Sequence, residues 1–257
     1  MHEVLNKKGF ICDMDGVIYH GNKILDGVKE FVNWMMENDK RFVFLTNSAE
    51  RTPHELSMKL QRMGLEVSAD HFYTSAMATA EFLSEQKPDC TVYVIGEAAL
   101  TKAMYDKKIY MNDINPDYVV LGETRTYNLE KIEKAISLVR NGAKLIGCNP
   151  DTVGVTEKGI VPATGALIAP IEIATGKKAY FVGKPNPLML RHGLKLIGCH
   201  SADIAFIGDR MDTDIISGIE SHIDTVLVLS GVTAEDEISN YPYRPKYVLG
   251  GVCDLLK

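Results

Sequence analysis

Short apolar runs alternate along the chain with segments whose apolar residues recur at helical spacing. Phe10-Ile11-Cys12 predicts a short strand that ends in an acidic loop. Val28, Phe31, Val32 and Met35 lie on one face of a predicted helix around Trp34. Phe42-Val43-Phe44-Leu45 predicts a buried strand ending at Thr46-Asn47-Ser48. Thr52-Pro53-His54-Glu55 has the form of a capping box with proline at the first helical position, followed by Leu56, Leu60 and Met63 on one face. Gly64 stops that helix. The middle of the chain repeats the scheme with Val92–Ile95, Tyr118–Leu121, a helix through Ile132, Ile136 and Val139, and Lys144–Gly147. The last third offers Ala179–Val182, a helix begun by Asn186-Pro187, Ile204–Ile207 and Val226–Leu229.

Strand alternating with helix is the mark of a wound parallel sheet, so the fold class is α/β. The strands outnumber the five or six of an average sheet. Two α/β units are therefore expected, although no linker, repeat or low-complexity tract marks the boundary.

The strand ends carry the chemistry, because ligands of open α/β sheets bind beyond the carboxyl ends of the strands. Asp13 and Asp15 follow the first strand, with Gly16 giving the backbone room to turn. On an extended chain both carboxylates would point the same way, whereas a turn would split them. One could then attack phosphorus and the other protonate a leaving group. A metal-ligand pair, a plain turn or a helix cap stay open for the same residues. Ile207-Gly208-Asp209 ends another apolar run with a carboxylate, and Asp212 and Asp214 follow. Asp212 suits a cap for a helix beginning near Thr213. Asp209 and Asp214 are assigned to a hard cation such as Mg²⁺, Asp214 directly or through water. Thr46 offers a hydroxyl, Asn47 a backbone N–H and Lys184 a point charge, all suited to phosphate oxygens. Attack of a carboxylate on a phosphate dianion is repulsive unless a metal and a lysine neutralise the charge, and these four strand ends supply both.

The chain's 257 residues, 46% hydrophobic and 24% charged, suffice for a sizeable core. A formal net charge of −6 argues against non-specific nucleic-acid binding. Five scattered cysteines suggest neither a disulfide framework nor a zinc site. The N-terminal residues have no long apolar run and no stretch approaches the ~20 residues of a membrane span, so a cytoplasmic protein without a membrane partner is expected. The seven histidines form no ligand-spaced cluster and read as structural or solvated, with a reservation for His20 near the acidic loop. Neither a P-loop nor a G-x-G-x-x-G fingerprint occurs.

Asp13-Met14-Asp15-Gly16-Val17, Leu45-Thr46-Asn47, Lys184-Pro185 and Gly208-Asp209 through Thr213-Asp214 resemble the four ordered motifs of the haloacid dehalogenase superfamily. The gap between Asn47 and Lys184 resembles that of the subfamily with an inserted α/β cap between its second and third motifs. Within it, Phe72 to Ala80, Val120 to Arg125, Asn149-Pro150-Asp151-Thr152 and Leu229 to Val232 are similar to the NagD-type ribonucleotide monophosphatases. The resemblance spans nearly the whole chain. It implies a Rossmann-like core over 1–78 and 180–257, with the cap over 79–179.

It further implies that Asp13 becomes an aspartyl-phosphate and that Asp15 meets the substrate, protonating the leaving alcohol and then activating water. Mg²⁺ would sit on the Asp13 carboxylate, the Asp15 backbone carbonyl and Asp209, while Thr46, Asn47 and Lys184 hold the phosphoryl group. The loop with Asn149 and Asp151 would lie over the site, and Glu123 and Arg125 would face substrate or solvent. Arg210-Met211-Asp212 departs from the family's usual fourth motif. The expected substrate is a nucleoside monophosphate, with sugar phosphates and aryl phosphates as further candidates. A phosphoryl-transferring mutase and a phospho-ligand binding protein without catalysis are the alternatives. Self-association through a cap surface, giving a homo-oligomer, stays open.

Overall fold

The computed structural model describes residues 2–156 and 159–257, without the side chains of His2, Val155 and Thr156. The chain forms two compact units. The first runs to Thr46, resumes over Pro53–Tyr73 and returns for Lys184–Lys257; the second holds Asn47–Thr52 and Thr74–Gly183.

The first unit is built on a six-stranded sheet in the order Tyr247–Leu249, Asp224–Val228, Ile204–Gly208, Gly9–Cys12, Arg41–Thr46, Phe72–Thr74. Gly9–Cys12 pairs in parallel with Ile204–Gly208 on one side and Arg41–Thr46 on the other. Every residue of Gly9–Cys12 is buried, which accounts for an apolar run without alternation. Helix Val28–Glu37 buries Val28, Phe31, Val32 and Met35, the face expected from the spacing. Phe31 meets Phe10 edge-on at 5.4 Å between ring centres and so ties helix to sheet. Helix Pro187–Ile197 starts where Asn186 accepts from the Leu188 N–H at 3.1 Å and ends at Gly198, whose φ of 59° is the left-handed value glycine tolerates. Strand order reverses around Gly9–Cys12, so Asp13 leaves the sheet at its topological switch point.

The second unit has its own five-stranded sheet, ordered Tyr180–Phe181, Lys144–Gly147, Tyr118–Leu121, Thr91–Ile95, Tyr110–Met111, with parallel pairing throughout. Helices Ser75–Gln86, Ala98–Asp106, Leu129–Arg140 and Thr164–Thr175 accompany it, and Val153–Thr156 pairs antiparallel with Gly159–Pro162. Asn128 caps Leu129–Arg140 by accepting from the Lys131 N–H at 3.0 Å. Both units are thus α/β with parallel sheets, and the first is Rossmann-like.

The chain passes between the units at Thr46/Asn47, Thr52/Pro53, Tyr73/Thr74 and Gly183/Lys184, against the 78/79 and 179/180 expected from the sequence. Thr74 caps the helix Ser75–Gln86, accepting from the Met77 N–H at 3.3 Å, so that whole helix goes with the second unit. Tyr180–Phe181 pairs with Ile146 and Gly147 and goes with it too. No helix among the described residues is long and apolar enough to cross a membrane.

Candidate active site

Parallel pairing brings the ends of three strands of the first unit to one edge. Asp13 continues Gly9–Cys12, its N–H donating to the Ile207 carbonyl at 2.8 Å. Thr46 is the last residue of its strand and buried, and Asp209 directly follows Ile204–Gly208. The chain turns sharply after Asp13: the N–H groups of Ile18 and Tyr19 both donate to the Met14 carbonyl. The turn separates the two acids, leaving Asp13 buried and Asp15 exposed. Gly16, at the centre of that turn, has a φ of 78°.

Lys184 is buried, and its Nζ donates to Asp13 Oδ1 at 2.5 Å and to Asp214 Oδ1 at 2.7 Å. Asp214 Oδ2 accepts from the backbone N–H groups of Asp209 and Arg210 at 3.2 and 3.1 Å. Both oxygens of Asp214 are therefore engaged in holding the lysine and the loop after Gly208. Asp209 Oδ2 accepts from the Val232 N–H at 2.7 Å, whereas its Oδ1 is buried and meets no hydrogen-bond partner among the described residues.

Asp212 does not cap a helix. Its exposed carboxylate pairs with Arg210, Nη2 to Oδ2 at 2.9 Å and Nε to Oδ1 at 3.0 Å. The chain instead enters a wide turn over Met211–Ile215, in which the Ile215 N–H reaches back five residues to the Arg210 carbonyl, before helix Ile216–Glu220. The wide turn aims Asp214 inward and Asp212 outward.

One oxygen from each of Asp13, Asp209 and Asp214 lies within 4.8 Å of the others. Three carboxylates then face one ammonium, an excess of two negative charges. Burial, above all, drives the Asp13 carboxyl well above its usual range, against the pull of Lys184. Burial and then the Asp214 charge push Asp209 up to about 7. Burial by itself would lower Lys184, but the Asp13 and Asp214 charges outweigh it and keep the ammonium protonated. Hard oxygen donors, a surplus of negative charge and a buried oxygen without a partner fit a divalent cation. Asp13 and Asp209 are the residues best able to hold it, since the Asp214 oxygens already have donors.

The remaining sequence-predicted residues lie in the second unit. Asn47 and Asn149 are buried and Asp151 half-buried. Asn149 Nδ2 donates to the Asn47 carbonyl at 2.7 Å, and Asn47 Nδ2 donates to Asp151 Oδ2 at 3.0 Å. Glu123, left between substrate and surface by the sequence, is half-buried, and its carboxylate accepts from Asn149 Nδ2 at 2.6 Å and from the Ala49 N–H at 3.0 Å. Arg125 sits on the surface, 3.7 Å from Glu50. Sequence reasoning also passed over Gly231. A Cβ there would overlap the Asp209 carboxylate, which the neighbouring Val232 N–H holds. The motif around Leu229-Ser230-Gly231-Val232 was the available signal.

Comparison with known proteins gives one consistent picture. Residues 10–109 match the model of the haloacid dehalogenase-like hydrolases, and residues 181–255 match a second hydrolase model of the same kind. A dihydroxyacetone phosphatase of Corynebacterium glutamicum is 45% identical over 96% of this chain and 90% of its own. The ribonucleotide monophosphatase NagD of Escherichia coli is 41% identical over 96% of this chain and 98% of its own. The solved structure of Escherichia coli NagD superposes with a TM-score of 0.92 at 40% identity, covering 97% of this chain and 98% of its own.

Proposed function

The chain belongs to the haloacid dehalogenase-like hydrolase family, and from that membership we propose a Mg²⁺-dependent phosphomonoesterase in which Asp13 is the nucleophile. The observation that carries the proposal is the pairing of buried Asp13 with buried Lys184 beside an Asp209 oxygen that lacks a donor among the described residues. A carboxylate so placed can approach a phosphate dianion because its own charge is offset. Asp13 and Asp209, with the Asp15 backbone carbonyl, would hold Mg²⁺, which would supply electrophilic assistance and charge neutralisation when bound. Asp214 serves the site by holding Lys184, its own role toward the metal being indirect.

In the proposed reaction an Asp13 oxygen forms a bond to phosphorus as the bond from phosphorus to the leaving oxygen breaks. Asp15 gives its proton to that oxygen, releasing the alcohol. Asp15 then takes a proton from water, whose oxygen attacks the phosphorus of the aspartyl-phosphate and regenerates Asp13 with release of inorganic phosphate. Exposure of Asp15 suits a group that must exchange protons with substrate and solvent in turn. Lys184, the Thr46 hydroxyl and the Asn47 N–H hold the phosphoryl oxygens. We assign the second unit as the inserted cap and its Asn149 and Asp151 as substrate contacts, on the strength of the motif that carries them.

The substrate is a small phosphate monoester. Likeness to NagD favours nucleoside monophosphates, while the 45% identity to a dihydroxyacetone phosphatase favours a second reading with short sugar phosphates. A reducing, cytoplasmic setting suits five cysteines that are all free thiols. Release of inorganic phosphate from a panel of both substrate kinds, with and without Mg²⁺, tests the proposal. Turnover of neither kind would overturn it, and the panel's kcat/KM ranking decides between the two.

A further inference from the structure

Glu123 is a carboxyl group to which the second unit brings no cation among the described residues. It follows the buried strand Tyr118–Leu121, and no ion pair among the described residues reaches it. Its two oxygens divide their work. Oε2 accepts from the Ala49 N–H at 3.0 Å, in the short segment after the Thr46 strand. Oε1 accepts from Asn149 Nδ2 at 2.6 Å, in the loop after strand Lys144–Gly147.

These bonds complete a closed network. The Asn149 amide nitrogen also donates to the Asn47 carbonyl at 2.7 Å, and the Ser75 hydroxyl donates to the same oxygen. Asn149 Oδ1 accepts from the Asp151 N–H at 3.2 Å, and Asp151 Oδ2 accepts from Asn47 Nδ2 at 3.0 Å. Asn47 is thus anchored through its carbonyl and its side chain at once. Packing leaves the network no slack. A Cβ at Gly183 would press on Asn47 Oδ1 and Asn149 Cβ, and one at Gly122 would lie 3.1 Å from the Ala49 Cβ.

A carboxylate taken out of water without a counter-ion is unfavourable, and burial raises the Glu123 carboxyl even with both donors in place. What the ionised carboxylate would contribute is a pair of charge-assisted hydrogen bonds, stronger and shorter than neutral ones, to donors on two separate segments. We propose that Glu123 is a positioning residue that clamps the Asn47–Ala49 segment to the Asn149–Asp151 loop and so sets the orientation in which Asn47 receives the phosphoryl group. The consequence for substrate binding rests on the phosphatase reading above; the clamp itself does not.

Two measurements on Glu123→Ala, with the isosteric Glu123→Gln beside it, test this. Amide hydrogen exchange over residues 47–52 should quicken in Glu123→Ala, and in Glu123→Gln by less, because glutamine can accept from only one of the two donors. Unchanged exchange in both variants would overturn the clamp. With 4-nitrophenyl phosphate as probe, Glu123→Ala should raise KM roughly tenfold with kcat nearly unchanged, the pattern of lost uniform binding. Competitive inhibition by inorganic phosphate should weaken by the same factor. In an Asn47→Ala background, which keeps the phosphate-binding N–H but removes the side-chain anchor to Asp151, Glu123→Ala should add no more than about twofold, since both changes loosen the same backbone N–H. Quickened exchange with an unchanged KM, or full additivity with Asn47→Ala, would refute the role in binding while leaving the phosphatase intact. An unsubstituted protein that hydrolyses nothing would count against the phosphatase reading alone, with the exchange measurement still deciding the clamp.

Discussion

Lys184 Nζ lies 2.5 Å from Asp13 Oδ1 although the two residues stand 171 positions apart in the chain. Asp214 Oδ1 accepts from the same ammonium at 2.7 Å. In the proposed reaction this lysine offsets the charge of the attacking carboxylate and meets the phosphoryl oxygens.

Lys184→Met should therefore lower kcat by about 10²–10³, the size of effect seen when one donor to a developing charge is removed. It should also destabilise the metal-free protein by about 3–5 kcal/mol near neutral pH, because carboxylates are left buried against each other. Without the ammonium those carboxyls ionise still less readily in the fold than in the unfolded chain. The destabilisation is then fullest at high pH and shrinks as the pH falls and they protonate. Thermal unfolding of both proteins in chelator at two pH values, with steady-state hydrolysis, checks both parts.

Gly231→Ala should damage the site without replacing any polar group in it. A methyl there would overlap the Asp209 carboxylate, which must shift and give up the Val232 N–H. Overpacking of this kind costs about 1–3 kcal/mol, and the displaced Asp209 should no longer support a metal-dependent rise in Tm. Gly16→Ala should behave similarly, with added backbone strain from its φ of 78°. A Gly231→Ala protein with normal Tm and normal response to Mg²⁺ would contradict this account of Asp209.

Asp224 gives a pH dependence away from the site. It lies 2.6 Å from Lys7 and 2.8 Å from Lys246, joining the N-terminal segment to the last sheet strand. Burial alone would raise its carboxyl, but hydrogen bonds and charge from Lys246 and Lys7 outweigh that and hold it below the usual range. Its stabilisation is thus fully present above the ordinary carboxylate pKa of about 4 and is lost as the pH falls through the lower folded value. Asp224→Asn should cost roughly 1 kcal/mol at neutral pH. The difference in Tm from the parent protein should narrow as the pH falls below the ordinary carboxylate range.

Elements buried on both faces were the most legible in the sequence. Phe42 to Leu45 and Ile204 to Ile207 could only be interior strands, and the spacing of Val28, Phe31, Val32 and Met35 could only be a one-faced helix. Phe72–Thr74 and Tyr247–Leu249 escaped because three residues at a sheet edge carry no period. Helix Ser75–Gln86 escaped because small residues buried around much of it show no polar stripe against an apolar one. Tyr180-Phe181 read correctly as a strand, but its sheet depends on a pairing with Ile146 and Gly147 that no local pattern encodes. At the site, position at a strand end was enough to single out Asp13 and Asp209. The hold of Asp214 on Lys184 and that of Glu123 on Ala49 cross 30 and 74 residues, so only the fold brings them to view.

The buried Asp209 Oδ1 makes the metal measurable without turnover. A cation that binds the native state alone stabilises it by RT ln(1 + [L]/Kd), about 2.7 kcal/mol at a hundredfold excess over Kd. Chelator-treated protein should accordingly gain several degrees in Tm on addition of Mg²⁺ and recover hydrolysis with it. Asp209→Asn should abolish the gain, since an amide oxygen is a weaker ligand than a carboxylate. Asp214→Asn separates two roles for its carboxylate. Its oxygens already accept from Lys184 and from the Asp209 and Arg210 N–H groups, so the variant should keep most of the Tm gain while losing the lysine's support and with it most of kcat. Loss of the whole gain in Asp214→Asn would instead make Asp214 a direct ligand.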